Sequence, residues 1–296
     1  MGSKQSILSV KMLGCFELAR GEQVLKMETL HSKMQMKLLA YLLCHRNQVN
    51  SVMDLCEALW GETESHNPVG ALKNLIYRLR NTLCDSLGVE DYVLSGRGFY
   101  QWNPSIFVQL DMEQMETFQR LGKQSSNTKE IQLEQYQRSL QLYKGYFLKN
   151  LSSEHWTIPC STYYHSLYLT TLQEVSRQLL EEKEYAKVEM LCTQALDIDE
   201  LEENIHLYLM KSLYLQGKKE LAIRHYEKTK QLFCQELGSN LLPPFQQLFE
   251  GLQQEVDTSI VELRNMLEQH LKDGETAIFS IQRKKQQWTF HVVTNV

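Results

Sequence analysis

The residues best suited to chemistry lie between Ala71 and Arg97. There Leu72, Ile76, Leu79, Leu83 and Leu87 recur at helical spacing, so they form one buried stripe. At about 100° per residue, Asn74, Tyr77, Arg78 and Asn81 fall on the opposite side, with Lys73 at its edge. Such a set can read bases. A guanidinium can donate two hydrogen bonds to the O6 and N7 of guanine, and a carboxamide can bond the N6 and N7 of adenine, which makes Arg78 and Asn74 candidate readers. Tyr77, Lys73 and Arg80 suit phosphates or stem contacts. A charged helix face can also be merely solvated; the Gly96-Arg97-Gly98 hairpin tip further along the chain is the feature that favours nucleic acid. Arg97 would reach the adjacent minor groove or its phosphates, with flanking glycines that allow close approach or serve only the turn.

Other chemistries lack their residues. There is no G-x-S-x-G elbow, no phosphate-cradling G-x-x-x-x-G-K loop and no glycine-rich dinucleotide fingerprint, so no catalytic residue is assigned and the chain reads as a non-enzyme. His155, His165, His206 and His225 have no i, i+4 spacing with a carboxylate, which argues against zinc, and no cofactor is implied. Tyr143, Tyr146, Phe147 and Trp156 read as core packing in preference to a ligand pocket.

The elements that must position this surface are legible in order. Residues 7–25 alternate loosely between apolar and polar and break at Gly14 and Arg20-Gly21-Glu22, the pattern of short antiparallel strands. Helical periodicity starts at Ser32, placed as an N-cap, and closes at His45-Arg46-Asn47. Asn50 caps a second helix that ends at Gly61. The N-termini capped by Ser32 and Asn50 could each offer N–H groups to a phosphate, although capping alone explains both residues. A polar loop holding Glu62 and Glu64 leads to Asn67-Pro68, which start the third helix, and Tyr92 to Trp102 forms a hairpin. Beyond Pro104 the chain is helical almost throughout. Glu184-Tyr185-Ala186 recurs as Glu220-Leu221-Ala222, 36 residues on, close to the roughly 34-residue period of a tetratricopeptide helix pair in which small alanines allow close approach. After Thr258 come an amphipathic helix and two short strands around Arg283-Lys284-Lys285.

The fold class is therefore mainly α with a small β component: an N-terminal α+β winged helix-turn-helix over 1–104, an all-α tetratricopeptide-like domain over 105–257, and a tail over 258–296. A chain of 296 residues accommodates two cores. The net charge of −5 argues against a polyanion ligand until it is divided: residues 1–104 carry 11 Lys and Arg against 10 Asp and Glu, while the remainder carries 20 against 26. Neither a signal-peptide core nor a membrane-length apolar run is present, which reads as cytoplasmic. Seven scattered cysteines without a C-x-x-C pair read as buried, reduced thiols.

Taken together, these residues resemble the Streptomyces antibiotic regulatory protein (SARP) type of activator, a response-regulator-type winged helix joined to a bacterial transcriptional activation domain. The resemblance covers roughly residues 7–255. In the first half it rests on Leu13-Gly14-Cys15-Phe16-Glu17, His31-Ser32-Lys33, Leu38-Leu39-Ala40-Tyr41-Leu42, Leu59-Trp60-Gly61, Ala71-Leu72-Lys73-Asn74, Tyr77-Arg78-Leu79-Arg80 and Gly96-Arg97-Gly98-Phe99-Tyr100. In the second half it rests on Asp111, Phe118, Leu142-Tyr143-Lys144-Gly145-Tyr146-Phe147-Leu148, Trp156, Asp199, His206, Met210, Gly217, Ala222, Tyr226 and Leu237-Gly238. It implies sequence-specific binding of double-stranded DNA at tandem direct repeats, self-association on DNA, and recruitment of RNA polymerase through the loop holding Glu62 and Glu64. Longer relatives continue into sensor, ATPase or cyclase-like modules, whereas this chain ends at Val296, so a sensing or enzymatic role is not carried over and a small-molecule effector is left unassigned. Two rivals stand beside this reading: a tetratricopeptide-type protein-interaction adaptor, and a truncated cyclase-like sensor.

Overall fold

The structure, a computed structural model, describes residues 7–26, 30, 32–61, 67–124, 128–254, 277–284 and 287–294. Contacts divide the chain into two compact units, one of residues 1–187 with 197–200 and the other of residues 188–196 with 201–296.

The first unit opens with a meander whose alternation buries one face. Strands β1 (Leu8–Lys11), β2 (Glu17–Arg20) and β3 (Gln23–Lys26) pair antiparallel, and Leu8, Val10, Leu18 and Leu25 are buried. A later strand, β7 (Val108–Leu110), lies parallel to β1 and completes the order β3-β2-β1-β7. Three helices follow the meander: α1 (Lys33–Cys44), α2 (Val52–Trp60) and α3 (Pro68–Leu87). Their apolar stripes share a core with Leu38, Leu39, Leu42, Leu55, Leu59, Leu72, Ile76, Leu79, Leu83 and Trp102, all buried. Strands β4 (Asn50–Ser51), β5 (Val93–Gly96) and β6 (Phe99–Trp102) form a second sheet in the order β4-β6-β5. This is the winged-helix arrangement expected from the sequence.

Two caps differ from expectation. The Asn67 side chain accepts from Gly70 N at 2.9 Å, as its position predicts, and proline fills the first turn of α3. At α2, by contrast, Ser51 is the cap, its hydroxyl accepting from Asp54 N at 3.0 Å. Asn50 is instead a buried strand residue paired with Tyr100. The hairpin draws it into the ladder, a long-range pairing that local cap statistics do not register. Ser32 occupies the N-cap position of α1 but makes no side-chain cap hydrogen bond.

The same unit continues through α4 (Asp111–Gly122), α5 (Lys129–Leu142), a 3-10 turn Lys149–Leu151 and α6 (Ile158–Glu181). Asp111 ties β1 to α4. Its buried carboxylate accepts from Met12 N at 2.9 and 2.8 Å, Leu13 N at 2.9 Å and Met112 N at 2.8 Å. Burial pushes this carboxyl above its usual range and outweighs the opposing pull of the backbone donors. Nearby, Leu13 and Phe147 form a bridge and Gly14 N donates to Tyr146 O at 3.2 Å. A Cβ on Gly14 would stand 2.9 Å from the Lys144 carbonyl carbon, and its φ of +113° is one that L side chains rarely adopt, so two chain segments cross there at glycine-limited distance. Two ion pairs add to the joint: Lys37 Nζ to Glu154 Oε2 at 2.5 Å and Arg46 Nη2 to Glu113 Oε2 at 2.6 Å.

The second unit contains α7 (Tyr185–Leu196), α8 (Glu203–Leu215), α9 (Lys219–Leu237) and helical residues 243–254, with α7 assigned to it from Val188. The buried residues Val188, Cys192 and Ala195 of α7 correspond to Ala222, Tyr226 and Thr229 of α9, each pair 34 residues apart. That replaces the 36-residue register of the alanine motif, since Ala186 is exposed while Ala222 is buried. A local triplet match is two residues out of phase with the buried faces. The amphipathic segment after Thr258 lies outside the described residues as far as residue 276. Strands β8 (Ala277–Lys284) and β9 (Gln287–Thr294) then pair as an antiparallel hairpin, longer than the two short strands expected.

All seven cysteines are free thiols, but only Cys56 and Cys192 are buried; Cys15 and Cys234 are exposed, contrary to the expectation of a buried set.

Candidate nucleic-acid interface

Helix α3 holds its outward face by burying the other. Leu72, Leu75, Ile76, Leu79, Leu83 and Leu87 are buried, and Lys73, Asn74, Tyr77, Arg78 and Asn81 are exposed, Tyr77 at 66%. Five of the six α3 candidates thus share one open surface. Asp85, which periodicity and residue type did not single out, continues it one turn on.

Arg80 departs from that set. It is half-buried, and its Nε and Nη2 donate to the Val93 carbonyl at 2.9 and 2.5 Å, fastening α3 to the first strand of the hairpin. Of the two roles left open for it, phosphate or stem contact, the geometry has the second. A guanidinium on a carbonyl at a strand start relieves an otherwise unpaired acceptor and sets the angle between helix and hairpin.

The hairpin carries Arg97 at its tip, exposed, between Gly96 and Gly98. The two glycines act differently. Gly98 has φ +83°, which the tight turn requires, whereas a Cβ on Gly96 would meet the Phe99 ring at 2.1 Å, so its bareness makes room for that cross-strand ring. Gly98 O accepts from Val52 N at 3.0 Å and Ser51 pairs with Phe99, which brings the first turn of α2 beside the tip. Arg97 and the α2 N-terminus are therefore neighbours, while Asn50 lies beneath them, buried at 2% exposure, with its Nδ2 directed to Gln48 O at 3.3 Å. Asn50 is too enclosed to meet a phosphate. Ser32 is half-buried at the start of α1. Glu62 and Glu64 lie outside the described residues.

The bracing is extensive. Tyr92, fully buried, donates its hydroxyl to Leu87 O at 2.8 Å and accepts from Arg20 Nη1 at 3.1 Å, and Arg20 also pairs with Glu90. These contacts lock the exit of α3 to the meander. The backbone beneath the open face is thus tied both to the hairpin and to the meander.

Residues 27–99 match the family described as transcriptional regulatory protein, C terminal, and residues 110–253 match the bacterial transcriptional activator domain. These two matches are the module pair of the SARP-type transcriptional regulators that the chain resembles. Their two modules adjoin here in the expected order. Regulatory protein AfsR of Streptomyces coelicolor is 24% identical over 242 residues, a stretch covering 78% of this chain and 23% of the relative. The chain thus spans about a quarter of that relative's length. Mycobacterium tuberculosis EmbR, solved in complex with a low affinity phosphopeptide, matches with a TM-score of 0.62 at 15% identity over 99% of this chain and 78% of that one. That likeness is one of fold.

Elsewhere in the chain, no described group of three or more His, Cys, Asp or Glu could hold a metal ion, and no described helix is long and apolar enough to cross a membrane. Two histidine clusters do form that sequence spacing conceals. His165 Nδ1 lies 3.0 Å from Tyr143 Oη and its Nε2 lies 3.0 Å from Asp199 Oδ2. The order Asp-His-Tyr is that of a proton relay, but Tyr143 is 2% exposed and burial pushes its phenol up, so its hydroxyl is offered to no substrate. In the second unit, His206 Nδ1 lies 3.2 Å from His225 Nε2 and 3.3 Å from Thr229 Oγ1, and burial followed by the neighbouring His206 depresses His225 to about 4. Both clusters are packing contacts between helices and turns.

Proposed function

We propose that the chain is a cytoplasmic activator that binds double-stranded DNA in a sequence-specific manner, inserting α3 into the major groove and setting the hairpin tip against the neighbouring minor groove. The observation that carries this reading is the common exposure of Lys73, Asn74, Tyr77, Arg78 and Asn81 on one braced helix face, with Arg97 exposed at the tip of the hairpin that Arg80 fastens to α3. Arg78 and Asn74 read bases, Lys73 and Tyr77 hold phosphates, and Arg97 contributes sequence-independent affinity. Ser32 and the first turn of α2 are secondary phosphate contacts. Polymerase contact through the loop holding Glu62 and Glu64 completes the activation route.

Alanine at Arg78 or at Asn74 is expected to relax selectivity by about 1 to 3 kcal/mol at one base position each, whereas Arg97→Ala weakens binding evenly across sequences. Affinity measured on a panel of single-base operator variants checks this. Unchanged selectivity in both helix variants removes α3 as the reader. Binding that ignores salt would instead favour a protein-interaction adaptor, because phosphate contacts weaken steeply as salt rises.

In related winged helices the recognition helix and the hairpin engage successive grooves along one direction, so identical protomers can line up head to tail without a two-fold axis. The operator is then a tandem direct repeat with half-sites about 10 to 10.5 base pairs apart, bound cooperatively. Inserting about five base pairs rotates one site by half a turn and abolishes the cooperativity; about five more restore part of it. Footprint titrations on the three spacings are the check. A preferred palindrome, or indifference to the half-turn insertion, contradicts the arrangement.

A further inference from the structure

The open face of α3 has an internal order that sharpens the DNA-reading proposal and depends on it. At about 100° per residue, the line opposite the centre of the buried stripe passes through Asn74 and Asn81, with Asp85 beside it; Tyr77 and Arg78 stand some 50° to either side, and Lys73 lies at the margin. All of these side chains are exposed. A groove-docked helix brings its central line nearest the base edges and its margins nearest the two phosphate backbones. The central line holds two carboxamides, and a margin holds the ammonium of Lys73.

We infer that Asn81 is a second adenine reader, paired with Asn74, and that Asp85 marks the end of the base-reading segment. Asn74 and Asn81 are seven residues apart, two helical turns, or about 10.5 Å along the axis at 1.5 Å per residue. Base pairs rise about 3.4 Å per step, so the two carboxamides address positions about three base pairs apart. Each can donate to adenine N7 and accept from N6, a pairing that no other base edge in the major groove matches. Asp85 lies one turn beyond Asn81 on nearly the same line. A carboxylate there is repelled by the converging phosphates, which prevents the last turn of α3 from entering the groove and fixes which two turns read.

The experiment uses the full chain and duplexes selected by it from a random pool. In the selected site, each adenine is replaced in turn by 7-deazaadenine, which keeps Watson–Crick pairing and lacks the N7 acceptor. Wild-type protein is expected to lose about tenfold in affinity at two positions per half-site, about three base pairs apart. Asn74→Ala loses its sensitivity at one of them, and Asn81→Ala at the other, while both variants keep the wild-type melting temperature. Asp85→Asn raises affinity several-fold on unselected duplex. If the chain selects a site but 7-deazaadenine leaves affinity unchanged throughout, or Asn81→Ala keeps both sensitivities, the pairing of asparagines is wrong and DNA reading by α3 stands on Arg78. If Asp85→Asn binds unselected duplex no better than wild type, the boundary role is overturned. A folded chain that selects no site overturns this inference together with the reading beneath it.

Discussion

Asp111→Ala is expected to destabilise the first unit by about 3 to 5 kcal/mol. The buried carboxylate serves the N–H groups of Met12, Leu13 and Met112. Met12 and Leu13 are 0% and 2% exposed, so water cannot replace the lost acceptor, and each orphaned buried donor costs about 1 to 3 kcal/mol. Relief of the carboxylate's own burial offsets part of that sum, which is why the expected loss falls short of three full penalties. Asp111→Asn keeps one accepting oxygen but turns an amide N–H toward the backbone donors, and should recover less than half of the loss. Urea denaturation of the three proteins at pH 7 measures both values. A loss under about 1 kcal/mol for alanine would mean that β1 and α4 are held together by their apolar contacts alone. Because the clamp joins the meander that supports α3 to the first activation-domain helix, the alanine variant should also lose duplex affinity at temperatures where the wild type still binds.

Acidification acts on the second unit. His225 titrates near pH 4 in the folded chain, because burial and then the neighbouring His206 disfavour its charge, with Lys228 adding a smaller repulsion. An unfolded histidine titrates near 6.5. Between those values the unfolded chain binds a proton that the native chain refuses, so the native state loses stability as pH falls from about 6.5 and has lost the whole contribution near pH 4. The difference of about 2.5 units corresponds to about 3 kcal/mol across the window, and about 2 kcal/mol at pH 5. Denaturant midpoints at pH 7.5 and 5.0 should therefore separate for the wild type. For His225→Gln, which removes the titrating group and keeps a hydrogen-bonding side chain near His206, the gap should shrink by about that amount. An equal gap in both proteins would assign acid sensitivity to other groups.

How much of this was written in the sequence depends on the range over which each signal acts. The buried stripe of α3, its Asn67-Pro68 start, the glycine-tipped hairpin and the antiparallel meander were legible because periodicity, capping and turn chemistry operate within a few residues. The outward set Lys73, Asn74, Tyr77, Arg78 and Asn81 followed from that periodicity alone, since a stripe that must be buried leaves its opposite exposed.

Tertiary structure decided the rest. Asn50 left its expected cap for a buried ladder position because β6, some 50 residues on, pairs with it, and Ser51 took over the capping. Arg80 shares α3 with the exposed set but bonds the Val93 carbonyl, a partner that exists once the hairpin has folded back. The repeat register moved from 36 to 34 residues because burial is set by the facing helix and not by a matching triplet. Asp111 carried no local sign of its role: two of its three donors, Met12 N and Leu13 N, sit about 100 residues earlier, just past the end of β1, and only chain folding brings an acceptor to those N–H groups. Sequence by itself determined which face of each element is apolar and so which elements can exist; the long-range pairing of backbone donors and acceptors, which no local pattern encodes, decided which polar residues brace the fold and which are left exposed.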